Sequence, residues 1–208
     1  MTETVERMAG APKPVTLDGQ RYRLHTLLPD DVTARYVSWL RDPEVTRFLE
    51  VRLNAPTLEG VREWVAGFDH ARRYLFGIYA RDSGQHLGTV TLYDWHPYHG
   101  TAYYGYMLGE REYWGRGVMT EVLTLLFDFA FDTLGVRKLN AGAYVENIAS
   151  IVNFQKMGLH PEGVLRQQLR LDDRYVDEVL YGIDREQWAA HKATLAELQA
   201  RVQDTGSA

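Results

Sequence analysis

The chain has 208 residues, a formal net charge of −5 and no cysteine. That length suits one domain with short tails and a real core. The acidic balance disfavours nucleic acid as a partner, and the missing thiols exclude disulfides, thiolate zinc sites and cysteine nucleophiles.

No stretch reaches the roughly 20 apolar residues of a membrane span. The polar start "MTETVERMAGAPKPVT" lacks the apolar centre of a signal peptide. A cytoplasmic protein with no membrane partner is expected. Residues 1–20 read as a flexible arm with Pro12 and Pro14. "QRYRLHTL" (20–27) alternates polar and apolar residues, as a half-buried strand does. In 29–42, Val32, Tyr36, Val37, Trp39 and Leu40 form a helical stripe; Asp30 and Asp31 suit its start and Pro43 its end. A second helix is expected in 55–70, with Thr57 as N-cap and Leu58, Val61, Trp64, Val65 and Phe68 as its apolar face.

The period then changes. Segments 74–81 and 86–95 are β-rich and separated by the turn "DSGQ"; 100–109 is another strand. Residues 118–134 form a long helix whose face includes Val118, Val122, Leu125, Leu126, Phe129 and Ala130, closed by Gly135. A strand (136–145), a shorter helix (147–158) and a hairpin (163–171 with 175–183) follow, then a polar, helix-forming or disordered tail at 189–208. This order predicts a mixed α/β domain over 21–188, one sheet with flanking helices.

"WGRGVMTE" (114–121) places Gly115 and Gly117 directly before the long helix. The first N–H groups of a helix have no intrahelical partner and lie at its positive end, so they suit an anion. A tight turn is the plain alternative. Neither a Walker A lysine nor a complete dinucleotide fingerprint is present, since Thr120 stands where a third glycine belongs.

"YWGRGVMTE" opening a helix, a strand running into "VENIASI", and "FQKMGL" closing the next helix occur in series. So do "DDVTARYVSWLRDPEVTRFLEVR" near the start and "EGVLRQQLRLDDRYVDEVLYGIDREQW" near the end. Together they resemble the GCN5-related N-acetyltransferase superfamily, in the branch of ribosomal-protein N-terminal and bacterial amino-sugar acetyltransferases. The resemblance implies a mostly antiparallel sheet with two splayed parallel strands, and acetyl-CoA as co-substrate. It assigns the pyrophosphate to the amides of Arg116, Gly117, Val118, Met119 and Thr120, and the thioester to the neighbourhood of Met107 and Leu108. It gives Asn147, Asn153 and Lys156 to the rest of the cofactor. Three departures stand out: Met119 is bulkier than the family's small residue, Phe154 replaces a tyrosine used as acid, and Tyr103 replaces a glutamate.

Acetyl transfer to an amine needs a base for the ammonium proton and a donor for the carbonyl oxygen, but no protein nucleophile. Asp94 and His96, at the end of a strand expected to border the cleft, are candidate bases, with a polar turn as the alternative. Tyr104 and Tyr106 share a strand face; Tyr104 is a candidate proton relay or oxyanion donor and Tyr106 a candidate substrate contact, against core packing. Ser150 is a candidate acid toward the leaving sulfur, against a helix-start hydroxyl. Arg47, Glu50, Arg52 and Asp177 are candidate acceptor contacts, against a surface charge cluster; Glu178 is the alternative to Asp177, since strand alternation sends only one of the two inward. The histidines are scattered without metal-ligand spacing.

The expected function is direct acetyl transfer to a primary amine, on an amino sugar or nucleotide-linked amino sugar, on a protein N-terminus, or on another small amine. A catalytically silent acyl-CoA-binding module and an unrelated nucleotide binder are the competing classes. A monomer and a homodimer both fit.

Overall fold

The computed structural model describes residues 14–53 and 55–205. Its strands are β1 (Thr16–Asp18), β2 (Tyr22–Thr26), β3 (Tyr74–Ala80), β4 (His86–His96), β5 (Thr101–Leu108), β6 (Lys138–Tyr144), β7 (His160–Leu171) and β8 (Arg174–Asp184). They form one sheet in the order β1-β2-β3-β4-β5-β6-β8-β7. Every neighbouring pair is antiparallel except β5 and β6, which run parallel. The helices are α1 (Ala34–Leu40), α2 (Pro43–Thr46), α3 (Leu58–Ala66), α4 (Val118–Asp128), α5 (Ile148–Lys156) and α6 (Arg185–Thr205).

Alternation along the strands divides the core between two faces. Phe76, Val90, Tyr104, Leu139 and Ile183 join a large apolar cluster with α4, α5 and Trp188 of α6. On the other face Leu75 and Met107 join a separate cluster made by α1, α3 and the turn before α1. The mixed, mostly antiparallel sheet flanked by helices is the expected architecture. β7 forms the outer edge, where register shifts at Pro161/Gly163 and Leu165/Leu169 break the flat template that another strand would pair with.

Some boundaries differ from the sequence pattern. Thr16–Asp18, in the segment read as an arm, pairs with β2, and the Thr16 hydroxyl meets His25 Nδ1 at 2.7 Å. Residues 1–13 lie outside the described residues. The first helix starts at Ala34. Asp31 closes a separate 3-10 turn by accepting from the Leu28 N–H at 2.8 Å, and extended Thr33 caps α1 instead. α4 is α-helical only to Asp128, and Phe129–Thr133 widen into a π-type turn before Gly135 turns left-handed.

One polar cluster fixes α1 to the strand–loop junction after β5. The buried Glu110 carboxylate accepts from Arg35 Nε and Nη2 at 2.6 Å each and from Trp39 Nε1 at 3.1 Å. Gly109 has no room for a Cβ because the Trp39 ring fills the space. His86 stacks on Tyr79 at 4.8 Å, lies edge-on to Trp39 at 5.0 Å and donates from Nε2 to the Gly88 carbonyl at 2.9 Å. Burial lowers the His86 pKa to about 4, from 6.5 for the free side chain. The Arg35 partnership outweighs the opposing effect of burial and holds Glu110 below its ordinary value.

Between pH 6.5 and 4 the unfolded His86 ring takes a proton that the folded ring refuses, so acidification across that window favours unfolding. We expect urea unfolding to show stability falling by up to about 3 kcal/mol as pH drops through this range. His86→Gln should remove that part of the slope, with Glu110 adding its own loss only nearer pH 4.5 and below.

Candidate active site

β5 and β6 bond for three rows only: Thr101 with Lys138, Ala102 with Leu139, and Tyr103 with Asn140. Asn140 Nδ2 donates to the Ala102 carbonyl at 3.2 Å at this end of the pairing. Beyond it β5 stays with β4 and β6 with β8, so the two parallel strands part. Their facing backbone groups then need other hydrogen-bond partners.

The glycine loop lies at the open end of this gap. Trp114 Nε1 donates to the Leu108 carbonyl at 2.8 Å, tying the loop to the end of β5. Gly115 and Gly117 take φ of 73° and 74°, a left-handed conformation that favours glycine. Gly117 is the N-cap of α4 and brings no side chain to its free amides. Val118 and Met119 are buried in the core beneath, so the bulk of Met119 points away from the loop. Arg116 lies over the Tyr113 ring at 5.8 Å. Arg21 reaches the same helix end from the β1–β2 turn: its Nε lies 3.5 Å from Glu121, and its Nη2 lies 3.8 Å from where a Cβ on Gly117 would stand. Free amides, the helix dipole and two guanidinium groups suit a pyrophosphate.

Between β5 and α5 lies a hydroxyl relay. Tyr106 donates to Ser150 Oγ at 3.3 Å and accepts from Asn153 Nδ2 at 3.0 Å. Burial raises the Tyr106 pKa, so this phenol stays protonated. Asn147 caps α5, its Oδ1 accepting from the Ser150 N–H at 3.2 Å. Lys156 is exposed in the last turn of α5.

On the opposite face of the sheet a cavity of about 670 Å³ lies under α1, α3 and residues 49–51 and 55–57, with Gly105, Tyr106 and Met107 of β5 in its wall. Glu50 lines it. The Glu178 carboxylate, from β8, occupies the space a Cβ on Gly142 of β6 would take. Burial, and then the neighbouring Glu50, raise the Glu178 pKa. Burial first, then Asp94, Glu178, Tyr103 and Glu50, raise that of Tyr93.

The structure therefore redistributes the candidates. Asp94 and His96 sit at the closed end: His96 pairs with Thr101, two rows before the strands part, and both side chains are exposed in an irregular turn where Asp94 has φ of 50°. Tyr104 is a core residue, buried edge-on to Phe127 at 5.1 Å and Phe154 at 6.1 Å. Its fully buried hydroxyl cannot reach a substrate. Asp177 is spent on the β7 irregularity, accepting from the Gln167 N–H at 2.9 Å, and alternation turns Glu178 toward the gap instead. Arg52 donates to the carbonyls of Arg47 and Arg170 at 2.8 Å each and pairs with Asp172 at 3.7 Å, so it clamps the roof to the last hairpin. Arg47 is exposed over Phe48 at 5.2 Å. Glu50, Tyr106, Met107, Leu108, Ser150, Asn147, Asn153 and the 116–120 loop gather around the gap.

Of the two acids on the last strand, sequence reasoning chose Asp177 over Glu178, and it passed over Tyr93 and Arg21. The signal for Glu178 was present: Val179, Tyr181 and Ile183 mark the core face of β8, and Glu178 lies on the other. Among the described residues no group of three or more His, Asp or Glu gathers to hold a metal ion, and no helix is long and apolar enough to cross a membrane.

A splayed parallel strand pair, with a loop suited to an anion at its open end and a lined cavity on the other face, frames the site. Residues 21–160 match the acetyltransferase (GNAT) domain, and the chain belongs to this family of acyltransferases, whose acetyl donor is acetyl-CoA. It is 28% identical over 171 residues to the uncharacterized N-acetyltransferase YoaA of Bacillus subtilis (strain 168), covering 80% of this chain and 95% of that one. A GCN5-related N-acetyltransferase from Brucella melitensis has the same fold, with a TM-score of 0.74, 20% identity, and 88% and 85% of the two chains covered. RimL, a ribosomal L7/L12 α-N-protein acetyltransferase solved with coenzyme A, shares the fold with a TM-score of 0.75, 19% identity, and 82% and 98% coverage.

Gly117→Ala would place a Cβ on a left-handed residue at a cost of about 1 kcal/mol. We expect a lower melting temperature and, in isothermal titration, weaker binding of CoA. Unchanged CoA affinity would mean that the loop is only a turn.

Proposed function

We propose that the chain transfers an acetyl group from acetyl-CoA directly to the primary amine of a small molecule. The observation that carries this reading is the placement of Glu178 beside the strand gap, facing the cavity side, with the Tyr106–Ser150 pair on the other face. Acetyl-CoA, when bound, supplies an activated acyl thioester. In this reading the amides of Arg116, Gly117, Val118, Met119 and Thr120 hold its pyrophosphate. Arg116 and Arg21 add positive charge, Met107 and Leu108 line the acyl end, and Asn147, Asn153 and Lys156 flank the remainder.

The acceptor amine must lose a proton before it attacks. Glu178 is suited to take it, because burial and Glu50 make its carboxylate a stronger base than an ordinary glutamate. As the new N–C bond forms and the C–S bond breaks, the leaving sulfur takes a proton. Ser150 is suited to pass it on: its oxygen accepts from Tyr106, so as Ser150 gives its proton to the sulfur the Tyr106 proton moves to Ser150. The proton that Glu178 took from the amine restores the balance through solvent after release. Phe154, at the family's tyrosine position, is buried in the core and has no proton to give.

Among acceptors, the sequence pointed to an amino sugar, nucleotide-linked or free, and to a protein N-terminus. The roofed cavity favours a small molecule over a polypeptide. A positioned base and relay favour a working enzyme over a silent module.

Free CoA released from acetyl-CoA in the presence of amines can be followed with a thiol reagent, against a protein that has no cysteine background. Glu178→Gln should lower kcat/KM by on the order of 10²- to 10³-fold while CoA binding is retained. In the unmodified enzyme, activity should rise with pH as a carboxyl whose pKa lies above 4.5 deprotonates, and this acid limb should be missing in the variant. Full activity in Glu178→Gln would assign the base elsewhere.

A further inference from the structure

Resting on that reading, we infer that the acceptor is a hydrophobic primary amine with a ring-bearing body and no charge other than its ammonium group, an aralkylamine by chemical class. The cavity's lining carries the argument. Rings of Tyr36, Trp64 and Tyr93 stand in its wall, with aliphatic groups such as Leu40, Val61 and Met107 between them. Its 670 Å³ falls in the usual range for a small-molecule pocket.

Besides Glu50, the polar side chains of the described lining include the hydroxyls of three threonines and three tyrosines, and several are already engaged. Thr57 Oγ1 accepts from the Gly60 N–H at 3.1 Å as the cap of α3. Thr91 Oγ1 donates to the Gly105 carbonyl at 3.2 Å. The Tyr36 phenol, its pKa pushed up to about 12 by burial, remains a neutral group. A free amino sugar brings several hydroxyls, and those set against the ring and aliphatic surfaces here would lose water without replacement partners, a costly burial.

The charge pattern excludes anions. Among the described residues no lysine, arginine or histidine lines the cavity; the one carboxylate among them is Glu50, with Glu178 near it at the strand gap. A phosphate inside would meet carboxylates and no cation. In this part of the roof the Arg41 guanidinium is turned to the Pro56 carbonyl at 2.7 Å. An ammonium group, by contrast, is drawn to Glu50 and toward Glu178, where its proton can be removed. Apolar body and cationic head thus have separate, complementary places.

The test uses the full-length protein with 2-phenylethylamine, glucosamine, a nucleotide-linked hexosamine and a short peptide with a free N-terminus. Two readouts run in parallel: CoA release, and the melting temperature with each amine alone, since a ligand of the folded state raises it. We expect 2-phenylethylamine to give the highest kcat/KM and a melting shift. Gly60→Leu, which builds a side chain from α3 into the cavity, should raise its KM and abolish the shift, with the KM for acetyl-CoA unchanged. Glu50→Gln, at an exposed position that tolerates the change, should raise the amine's KM by on the order of tenfold and provides a second arm if the Gly60 variant folds poorly. Faster turnover of a sugar or the peptide, with Gly60→Leu indifferent, would overturn the acceptor class and leave acetyl transfer standing. A cavity-dependent melting shift without CoA release from any amine would overturn the transfer reading and leave the cavity assignment standing.

Discussion

Everything at the site depends on β5 and β6 staying together for three rows and no more. Parallel neighbours that remained paired would satisfy each other's backbone and leave no opening through the sheet. Here both strands keep their outer partners, β4 and β8, to their ends, so parting costs only the bonds between them. The exposed inner edges make a slot of fixed width and polarity through the sheet. A connection between parallel strands must cross over one face of the sheet, and α4 does so, which sets its start, with the glycine loop, at the mouth of that slot.

The two faces of the slot are held differently. On the α4–α5 face, large buried aromatics make a continuous core: Tyr104, Phe127, Phe154 and Trp188 pack edge to face. On the other face, short helices rest on a smaller cluster and are pinned by Glu110, Arg52 and the contact of Phe48 with Tyr144. Glu110 and Tyr144 tie the roof to segments next to the slot, and Arg52 ties it to the last hairpin beyond. Glu110 directly follows the glycine whose missing Cβ lets Trp39 sit down, so α1 and the loop before α4 cannot shift independently.

Strong periodicity made most of the fold legible. The stripe of α4, the alternation of β3 through β5 and the final hairpin each follow from one apolar pattern with one partner surface. β1 was not legible, because three residues with no buried side chain give no period. The start of α1 was obscured by competition: Asp31 and Thr33 both offer capping oxygens, and the chain uses Asp31 for a turn of its own. At the site, the loop glycines could be read because a left-handed backbone leaves a residue signature. Side-chain direction could not, since Asp94 and His96 look the same in sequence whether their strand end is the open or the closed one. Tyr104 and Tyr106 share a face, yet only the second is opposite Ser150; that two-residue difference decides between a core phenol and a relay.

The apolar cluster beneath α1 and α3 is distinct from the one beneath α4 and α5, and only a few sheet residues such as Leu75 and Met107 belong to the former. This has a consequence for descent. Contacting residues constrain one another's substitutions, whereas separate clusters accumulate changes almost additively. The lineage can therefore rework the roof, residue by residue, while the splayed strands and the glycine loop remain under their own selection. One inherited slot can in this way be paired with many roofs, each arising without a new fold.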